Sequence, residues 1–579
     1  MRSRPTNILV IGSGAAGLRA AIAAHQSGTE VVVIGKRHRL DAHTALAAGG
    51  INAVLGTRDP EDSWQQHFAD TFREGYALSH PRVVELMVRE APGAITELAD
   101  WGAPFARTED GRLDQRYFGA HRYRRTCYAG DYTGRAVLHA LARQVDRLDI
   151  PIVEDQCVSK LLMAGGECFG ALAFDLVSGE RTVFEADAVV LCTGGHTRIW
   201  RRSSSRRDEN YGEGMHLALE AGCRLMDMEL VQFHPTGMLA PEEAAGVLVT
   251  EAVRGEGGRL YNARGERFME RYDPERMELS TRDRIALANY TEIHEGRGTP
   301  QGGVYLDITH RGKDYILDKL PRMYRQFIEY QMLDISTQQM EVAPTAHYSM
   351  GGIYVDPDSH ATDVPGLYAA GECSAGLHGA NRLGGNSLSE TVVFGRRAGE
   401  AAARFSQERE SQLRSKQAVN AAAAELDALI HPGDRLARAV QREIRDMMWE
   451  NCGVVRDDAG LRQGIERLGE ARSAAAKIDV RPSEEGWSDL VLALDVQAML
   501  TTAEATLRCA LERAETRGAH NRADHPALDP ALTVNFYVRL DPASGNLEVS
   551  RAKVPPVPEE LLKWADGSAV EASADKLLE

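Results

Sequence analysis

The N-terminal segment holds the pattern that most constrains the fold. Residues 6–11 have the apolar character of a buried strand, the glycines Gly12, Gly14 and Gly17 follow at once, and residues 20–34 continue with small helical residues and a second buried strand. Glycines at this spacing permit a tight turn, and the N-terminus of the helix faces a pyrophosphate. This strand–turn–helix–strand unit predicts a Rossmann-like domain that binds a dinucleotide.

The residues after the second strand help to choose the dinucleotide. In NAD-binding domains an acidic residue near the end of this strand holds a ribose 2′-hydroxyl. Here the strand ends in Gly35-Lys36-Arg37, without an acidic residue. The segment therefore disfavours a simple NAD-binding domain.

Length and composition bound the class of protein. A chain of 579 residues is too long for one hydrophobic core, so we expect two to four domains. The formal net charge of −17 argues against a nucleic-acid partner, because the chain has no excess of positive charge to neutralise phosphates. The apolar runs are shorter than a membrane span, and the N-terminus enters a strand directly. We therefore expect neither a direct membrane span nor a signal peptide.

The eight cysteines are widely spaced, and no two of them form a CxxC pair. This spacing is unlike a disulfide scaffold, a zinc site or an iron–sulfur ligand set. We expect reduced, packed thiols and no metal bound by this chain.

The rest of the chain indicates that the polypeptide leaves the nucleotide-binding domain, forms an inserted domain and then returns to complete the first one. Residues 188–195 and 366–372 each read as an apolar strand running into a glycine-containing turn, as expected of strands in the same parallel sheet. The segment between them is more polar, and residues 406–525 are rich in Ala, Leu, Glu and Arg at helical spacing. We predict an α/β fold with a Rossmann-like domain in two parts, 1–228 and 346–405, and an inserted α+β capping domain at 229–345. A helical domain at 406–530 and a tail at 531–579 follow. The tail should contain a possible strand at 532–540 and a partly extended, Pro-rich and acidic end.

Further motifs follow in one order along the chain. They are 42–44 (AHT), 48–53 (AGGINA), 232–237 (QFHPTG), 249–258 (VTEAVRGEGG), 282–283 (RD), 344–348 (PTAHY), 350–353 (MGGI), 379–388 (GANRLGGNSL) and 517–520 (RGAH). Together with the N-terminal loop, this series resembles the flavoprotein subunits of succinate dehydrogenase and fumarate reductase over about residues 6–525. The resemblance implies an FAD-binding domain and the interconversion of succinate and fumarate.

The resemblance also assigns residues to FAD. His43 is the implied covalent anchor of the flavin, Glu372 an acid at its ribityl or ribose region, and Ser387 and Leu388 neighbours of the isoalloxazine. Glu213 stands where the family usually has Asp, and its longer side chain should still reach a ribose hydroxyl. The full set expected to bind FAD is Gly12, Ser13, Gly14, Ala15, Ala16, Gly17, Lys36, His43, Thr44, Gly49, Gly50, Glu213, Glu372, Ser387 and Leu388.

A C4 dicarboxylate carries two carboxylates, so its pocket needs cationic and hydrogen-bonding groups at both ends. The resemblance places Arg382, His234, His347 and Thr250 at the substrate, with Phe118 packed near the flavin and substrate. A guanidinium such as that of Arg382 can bind a carboxylate with two parallel hydrogen bonds.

The implied reaction is hydride transfer between a substrate carbon and the flavin, paired with proton transfer at the neighbouring carbon. The resemblance assigns the proton transfer to Arg282, with Glu251 and Arg254 as its relay to solvent. Because an arginine is rarely deprotonated, the alternative is that Arg282 only neutralises the substrate.

Several positions depart from the family pattern. Asp41 and Ala42 replace the Arg-Ser that usually precedes the anchoring histidine, and Ala48 replaces a Gln or Glu linked to the tuning of the flavin. Glu390 stands where the dehydrogenases usually carry Asp. The direction of the reaction and the exact dicarboxylate therefore stay open.

Two other functions compete with this interpretation. L-aspartate oxidase shares the fold and most of the motifs, but it binds FAD non-covalently, works alone and normally lacks the histidine found here at position 43. A non-catalytic scaffold could retain the flavin fold, but it would need none of the catalytic set His234, Glu251, Arg282, His347 and Arg382.

The resemblance finally implies partners. Electrons must leave the flavin for a quinone, and this chain has no cluster ligands to carry them. Membrane anchor subunits and an iron–sulfur subunit are the implied partners, with the flavoprotein peripheral on the cytoplasmic face of the membrane.

Overall fold

The computed structural model describes residues 1–483 and 486–565, and its central element is a seven-stranded sheet. The strand order is Ile152–Val153, Val31–Ile34, Arg2–Ile11, Arg181–Leu191, Glu167–Asp175 and Gln156–Ala164, with Leu367–Ala369 also paired to Arg181–Leu191.

Parallel pairing governs the half of this sheet that carries the glycine loop. Ile8 pairs with Val31 on one side and with Ala188 on the other, and Leu367 pairs with Val189. The predicted returning strands are therefore confirmed. Since parallel strands end at the same edge, the turns that follow them meet at one side of the sheet, which is where α/β folds bind ligands.

Two helices cover one face of the parallel strands. Ala15–Gln26 follows the glycine loop, and Asn386–Glu408 packs against it. A Cβ atom on Gly399 would lie 2.2 Å from the carbonyl oxygen of Ala20, so only glycine allows the two backbones to approach this closely. The long helix crosses the predicted boundary at residue 405. The other helices of this region are Trp64–Glu74, Pro81–Asp100, Thr133–Arg147 and Glu213–Glu220.

A second sheet and short helices lie within the segment predicted as the capping domain. The antiparallel order is Val231–Met238, Met340–Ser349, Val304–Asp307 and Arg259–Tyr261. Its helices are Ala252–Gly255, Met269–Tyr272, Arg282–Glu292, Lys313–Lys319 and Pro321–Gln331. Met238, Leu306 and Phe327 belong to a separate apolar core beneath it.

Four helices follow in the predicted helical region: Lys416–Ala428, Ala437–Asn451, Asp458–Ala475 and Ser488–Glu512. Among the described residues, Ser488–Glu512 alone is long and apolar enough to cross a membrane, and 72% of its most apolar window is buried in the protein. Charged residues such as Asp495 interrupt its apolar sequence, so no uninterrupted apolar run in this helix approaches the length of a membrane span. Its burial beside Leu461 and Val440 is that of a core helix.

The tail contributes two strands instead of one. The predicted strand is confirmed as Val534–Leu540, and it forms a hairpin with Leu547–Lys553. This hairpin extends a sheet with Leu225–Met226 and Gly352–Ile353, and a helix follows at Glu559–Ala565. The acidic end of the tail beyond residue 565 lies outside the described residues.

The remaining elements are short. Small strands occur at Ile51–Asn52, Gln115–Arg116, Thr126–Cys127, Val455–Arg456 and Asn521–Arg522. Single helical turns occur at Arg39–Asp41, His43–Leu46, Thr197–Ile199, Glu242–Ala244, Met277–Leu279, Ile293–Arg297, Thr309–Arg311 and Pro530–Leu532.

One buried arginine forms ion pairs and hydrogen bonds that connect the helical region to the tail and to residues 227–229. The guanidinium of Arg513, just after the long core helix, lies 2.6 Å from Glu229, 3.2 Å from Glu515 and 3.4 Å from Asp227. It also donates to two backbone carbonyls of the tail. All four side chains are almost completely buried, so each charge depends on the others for solvation.

We predict that Arg513→Met strongly destabilises the protein, because it leaves the buried carboxylates of Glu229 and Asp227 without their cation, whereas Glu515 keeps its pair with Arg517. The expected loss is about 3–5 kcal/mol in the free energy of unfolding, measured as a lower urea midpoint. The matched control is Arg508→Met, which removes a surface pair with Glu504 and should cost at most about 1 kcal/mol. Equal midpoints for the two variants would contradict the role of Arg513.

Candidate active site

A cavity of about 610 Å³ opens where the parallel strands end, between the large sheet and the capping region. Every predicted site residue lines it except Gly17 and Arg254. The predicted residues in its wall are Gly12, Ser13, Gly14, Ala15, Ala16, Lys36, His43, Thr44, Gly49, Gly50, Phe118, Glu213, His234, Thr250, Glu251, Arg282, His347, Glu372, Arg382, Ser387 and Leu388.

The glycine loop forms one end of this cavity. Gly12 has a φ of +115°, and a Cβ atom there would lie 2.1 Å from the carbonyl oxygen of Cys192. A Cβ on Gly17 would lie 1.8 Å from the carbonyl oxygen of Gly12, so Gly17 supports the loop from beneath instead of lining the cavity. The helix behind the loop has no side-chain cap at Gly14. The N-terminus of this helix fits an anionic group such as a pyrophosphate.

The basic residue after the second strand is held by acids from distant segments. Nζ of Lys36 lies 2.9 Å from Glu213 and 3.1 Å from Asp495. Asp495 belongs to the long core helix, so the helical region reaches this end of the cavity. Two carboxylates from elsewhere in the chain therefore lie beside the end of the second strand, which itself has no acid.

The predicted flavin anchor stands in the wall of the cavity at the start of a single helical turn. Nδ1 of His43 lies 2.7 Å from Oε1 of Glu209. The neighbouring Thr44 hydroxyl accepts a hydrogen bond from the backbone N–H of Ala15 (3.1 Å), which joins the anchor segment to the glycine loop.

Glu372 follows the strand Leu367–Ala369 and is half-buried. Burial raises the pKa of its carboxyl to about 7, although the backbone N–H of Ser349 donates to it at 3.0 Å. A carboxyl of this kind can accept from or donate to a polar cofactor group near neutral pH. Ser387 and Leu388 stand at the start of the long helix on the same side of the cavity.

Two arginines meet on a single oxygen atom in the other part of the cavity. Oε1 of Gln232 accepts from Arg282 at 3.1 Å and from Arg382 at 2.9 Å. Its amide Nε2 donates to Asn381 at 2.7 Å, which fixes the orientation of the side chain. Burial lowers the pKa of Arg382 to about 9, so Arg382 remains cationic at neutral pH. Its Nε atom is buried and has no partner among the described residues, as expected of a group reserved for a ligand.

Two histidines face this arginine pair. The imidazole rings of His234 and His347 lie 5.2 Å apart in an edge-to-face arrangement. Nδ1 of His234 is held by the backbone of Thr236, and Nδ1 of His347 by the hydroxyl of Ser204 at 2.8 Å. Burial, followed by the nearby arginines, holds the pKa of both rings well below the usual value. Both are therefore neutral, and each keeps Nε2 for a ligand.

Phe118 and Thr250 shape the space between these groups. A Cβ on Gly49 would lie 2.3 Å from the ring of Phe118, and one on Gly384 would lie 2.5 Å from it, so two glycines make room for the ring. Thr250 is 3% exposed and lies just before Glu251.

A row of alternating charges leads away from Arg282. Its Nε donates to Glu251 at 2.8 Å, and Glu251 lies 3.8 Å from Arg254. Burial acts to raise the pKa of Glu251, but the two arginines outweigh it and hold the value at about 2. Arg254 lies behind Glu251, outside the cavity wall, and donates to the carbonyl oxygen of Glu278.

Sequence reasoning missed three residues of this site. Gln232 stood inside a recognised motif, but its role as a shared acceptor depends on two arginines that are far away in sequence. Glu209 and Asp495 lie outside the motifs, and only the fold brings them to His43 and Lys36.

Comparison with known proteins agrees with this geometry. Residues 7–388 match the family described as "FAD binding domain", and residues 441–557 match "Fumarate reductase flavoprotein C-term". The chain is 43% identical to a chain of the fumarate reductase (CoM/CoB) of Methanothermobacter marburgensis, covering 90% of this chain and 95% of that one. It is 37% identical to the succinate dehydrogenase flavoprotein subunit of Rickettsia bellii, covering 90% of each.

A solved structure shows the same fold along the entire chain. "Mycobacterium smegmatis Sdh1 in complex with UQ1" superposes with a TM-score of 0.90 at 38% identity and covers 100% of both chains. The predicted fold class and the resemblance in motifs are thereby confirmed. The chain belongs to the family of succinate dehydrogenase and fumarate reductase flavoprotein subunits and is an FAD-dependent oxidoreductase.

Proposed function

We propose that this protein is the flavoprotein subunit of a succinate:quinone oxidoreductase and interconverts succinate and fumarate. The observation that carries the proposal is the meeting of Arg282 and Arg382 on Gln232, opposite two neutral histidines. Two buried cations beside neutral ring nitrogens and a hydroxyl match a small dianion with a carboxylate at each end.

Four side chains would bind the dicarboxylate. Arg382 has a free Nε and faces one carboxylate, while His234 and His347 offer neutral ring nitrogens and Thr250 a hydroxyl. Because Gln232 already accepts from both arginines, the guanidinium groups are fixed before the substrate arrives. Such preorganisation lowers the entropic cost of binding.

Arg282 would transfer the proton. In fumarate reduction it donates a proton to the carbon next to the one that receives hydride, and in succinate oxidation it takes that proton back. Glu251 and Arg254 then restore the charge of Arg282 through the observed contacts. Loss of a proton from an arginine is unusual, because the guanidinium is almost always protonated in proteins.

FAD, when bound, would supply the hydride acceptor and donor of the reaction. The glycine loop from Gly12 to Gly17 would hold its pyrophosphate, and Lys36 with Glu213 would meet the adenosine part. Glu372, Ser387 and Leu388 would lie along the flavin part, with Thr44, Gly49 and Gly50 on the same wall as the anchor. We propose that His43 binds the flavin covalently.

Partners and location follow from the same proposal. The eight cysteines of this chain are all buried, and we propose that electrons pass to a separate iron–sulfur subunit. Membrane anchor subunits would hold the assembly at the cytoplasmic face of the membrane, with a quinone as the final partner.

A second candidate is a fumarate reductase that works mainly in the reducing direction. Ala48 lines the cavity where the family usually has Gln or Glu, and a methyl group cannot hydrogen-bond the flavin. An L-aspartate oxidase-like enzyme is the further alternative.

We predict that the purified, FAD-loaded chain reduces fumarate with a reduced viologen dye and oxidises succinate with an artificial acceptor. The ratio of the two rates gives the preferred direction. Oxidation of L-aspartate without turnover of either dicarboxylate would contradict the proposal and favour the oxidase.

We predict that Arg282→Gln lowers kcat for fumarate reduction by about 10²–10⁴-fold, because it removes the proton donor. The flavin absorption spectrum should stay unchanged. The matched control is Arg284→Gln on the same helix, an exposed arginine outside the cavity wall, which should keep normal turnover. Retained turnover in Arg282→Gln with a normal spectrum would exclude the proton-transfer role.

We predict that the flavin stays with the denatured chain and fluoresces on a denaturing gel. The variant His43→Ser should lose this fluorescence, because serine offers no ring nitrogen for the bond, while still binding FAD in the native state. Release of all flavin from the wild-type chain on denaturation would show that attachment is non-covalent.

A further inference from the structure

Glu209 makes the one hydrogen bond to the imidazole of His43 that the described residues show. Its Oε1 lies 2.7 Å from Nδ1, and the backbone N–H of Arg206 donates to the same oxygen at 2.9 Å. The Glu209 side chain is 12% exposed and lies outside every recognised motif, whereas that of His43 is 28% exposed and lines the cavity.

An ion-pair network holds Glu209 in this place. Asp41, a departure from the family pattern, lies 2.9 Å from Arg37 and 3.0 Å from Arg206. Arg37 also pairs with Asp208, the residue before Glu209. The negative charge of Asp41 is therefore paired with two arginines. Through these pairs, the segment 206–209 is held next to His43.

The contact determines which ring nitrogen carries the proton. Burial acts to raise the pKa of Glu209, but His43 and the backbone N–H of Arg206 outweigh it and hold the value at about 2. The carboxylate is therefore ionised and can only accept, so the proton of neutral His43 is on Nδ1. Nε2 keeps its lone pair and makes no hydrogen bond to any described residue.

We propose that Glu209 is a positioning residue for the covalent attachment of the flavin to His43. This inference rests on the proposed covalent bond. Glu209 keeps Nε2 free as the nucleophile and stabilises the positive charge that develops on the imidazole as Nε2 attacks, as carboxylates do for other reacting histidines.

The attachment step balances with the proposed activity. A bond forms between Nε2 and a ring methyl carbon of the flavin, and one C–H bond of that methyl group breaks. The carbon and the imidazole each release one proton, and the electron pair of the broken bond stays on the flavin, which is left two electrons reduced. Fumarate, the acceptor of the proposed activity, takes up the two electrons and two protons.

The same contact sets the pH dependence of attachment. Burial acts to lower the pKa of His43, but the carboxylate of Glu209 outweighs it and the net shift is upward. Glu372 acts in the same direction as Glu209, Arg206 in the opposite one, and His347 is the other titratable group nearby. Protonated His43 cannot attack, so the rate of attachment should rise with pH through this raised pKa.

The experiment follows covalent attachment directly. Apoprotein is incubated with FAD and fumarate from pH 5.5 to 9, and covalent flavin is measured over time by gel fluorescence and by the mass of the peptide that contains His43. The variants are Glu209→Leu and Glu209→Gln, and the control is Asp446→Asn, which removes an ion pair with Arg201 outside the cavity wall and outside the network around Glu209. Total bound FAD is measured for each before denaturation.

The expected results separate positioning from folding. Glu209→Leu should bind normal amounts of FAD but attach it at least about tenfold more slowly, as when other histidine-orienting partners are removed. Glu209→Gln loses the charge and keeps an acceptor, so its rate profile should move to lower pH. Asp446→Asn should match the wild type in both respects.

Three outcomes would overturn the inference. Wild-type attachment rates and pH profile in both Glu209 variants would refute the positioning role while leaving the covalent bond intact. Slow attachment that merely parallels a loss of total bound FAD would make Glu209 a structural residue. An absence of covalent flavin in the wild-type chain would refute the proposed bond and this inference together.

Discussion

The parallel pairing of Arg2–Ile11 with strands on both of its sides is the constraint on which the rest of the structure depends. It brings Ile11 beside Ile34 and Leu191, so that three turns from distant parts of the chain meet at one edge. The approach is so close that a Cβ on Gly12 would strike the carbonyl of Cys192. A side chain at this position would push apart the strands whose ends form the cofactor-binding wall of the cavity.

The substrate side of the cavity is governed by buried charge. Arg282 and Arg382 are 100 positions apart, yet both donate to one oxygen of Gln232. Buried cations are costly unless they are paired, and among the described residues Glu251 alone lies within hydrogen-bonding distance of these two arginines as a counter-charge. A dicarboxylate would complete the balance, so the proposed substrate site would also select for the charge of its ligand. The neutral histidines add hydrogen bonds without adding to the repulsion.

Much of the architecture could be predicted from local patterns. The glycine loop, the returning strands and the first tail strand each carry a short-range signal, and the order of motifs identified the family. The second tail strand, Leu547–Lys553, was missed because most of its residues are exposed, which leaves little apolar pattern. In the long core helix, acidic residues such as Asp495 interrupt the apolar runs, and only the fold shows that Asp495 is buried against Lys36.

The sequence by itself determined the strand–turn–helix unit, the family and the types of side chain that a dicarboxylate site needs, because glycine geometry and motif order are local properties of the chain. Only the tertiary structure decided which partners those side chains have: Gln232 between two arginines, Asp495 and Glu213 on Lys36, and Glu209 on His43. Hydrogen bonds and ion pairs depend on distances of a few ångströms between residues that can be hundreds of positions apart. Those distances exist only once the sheet, the capping region and the helices have packed together.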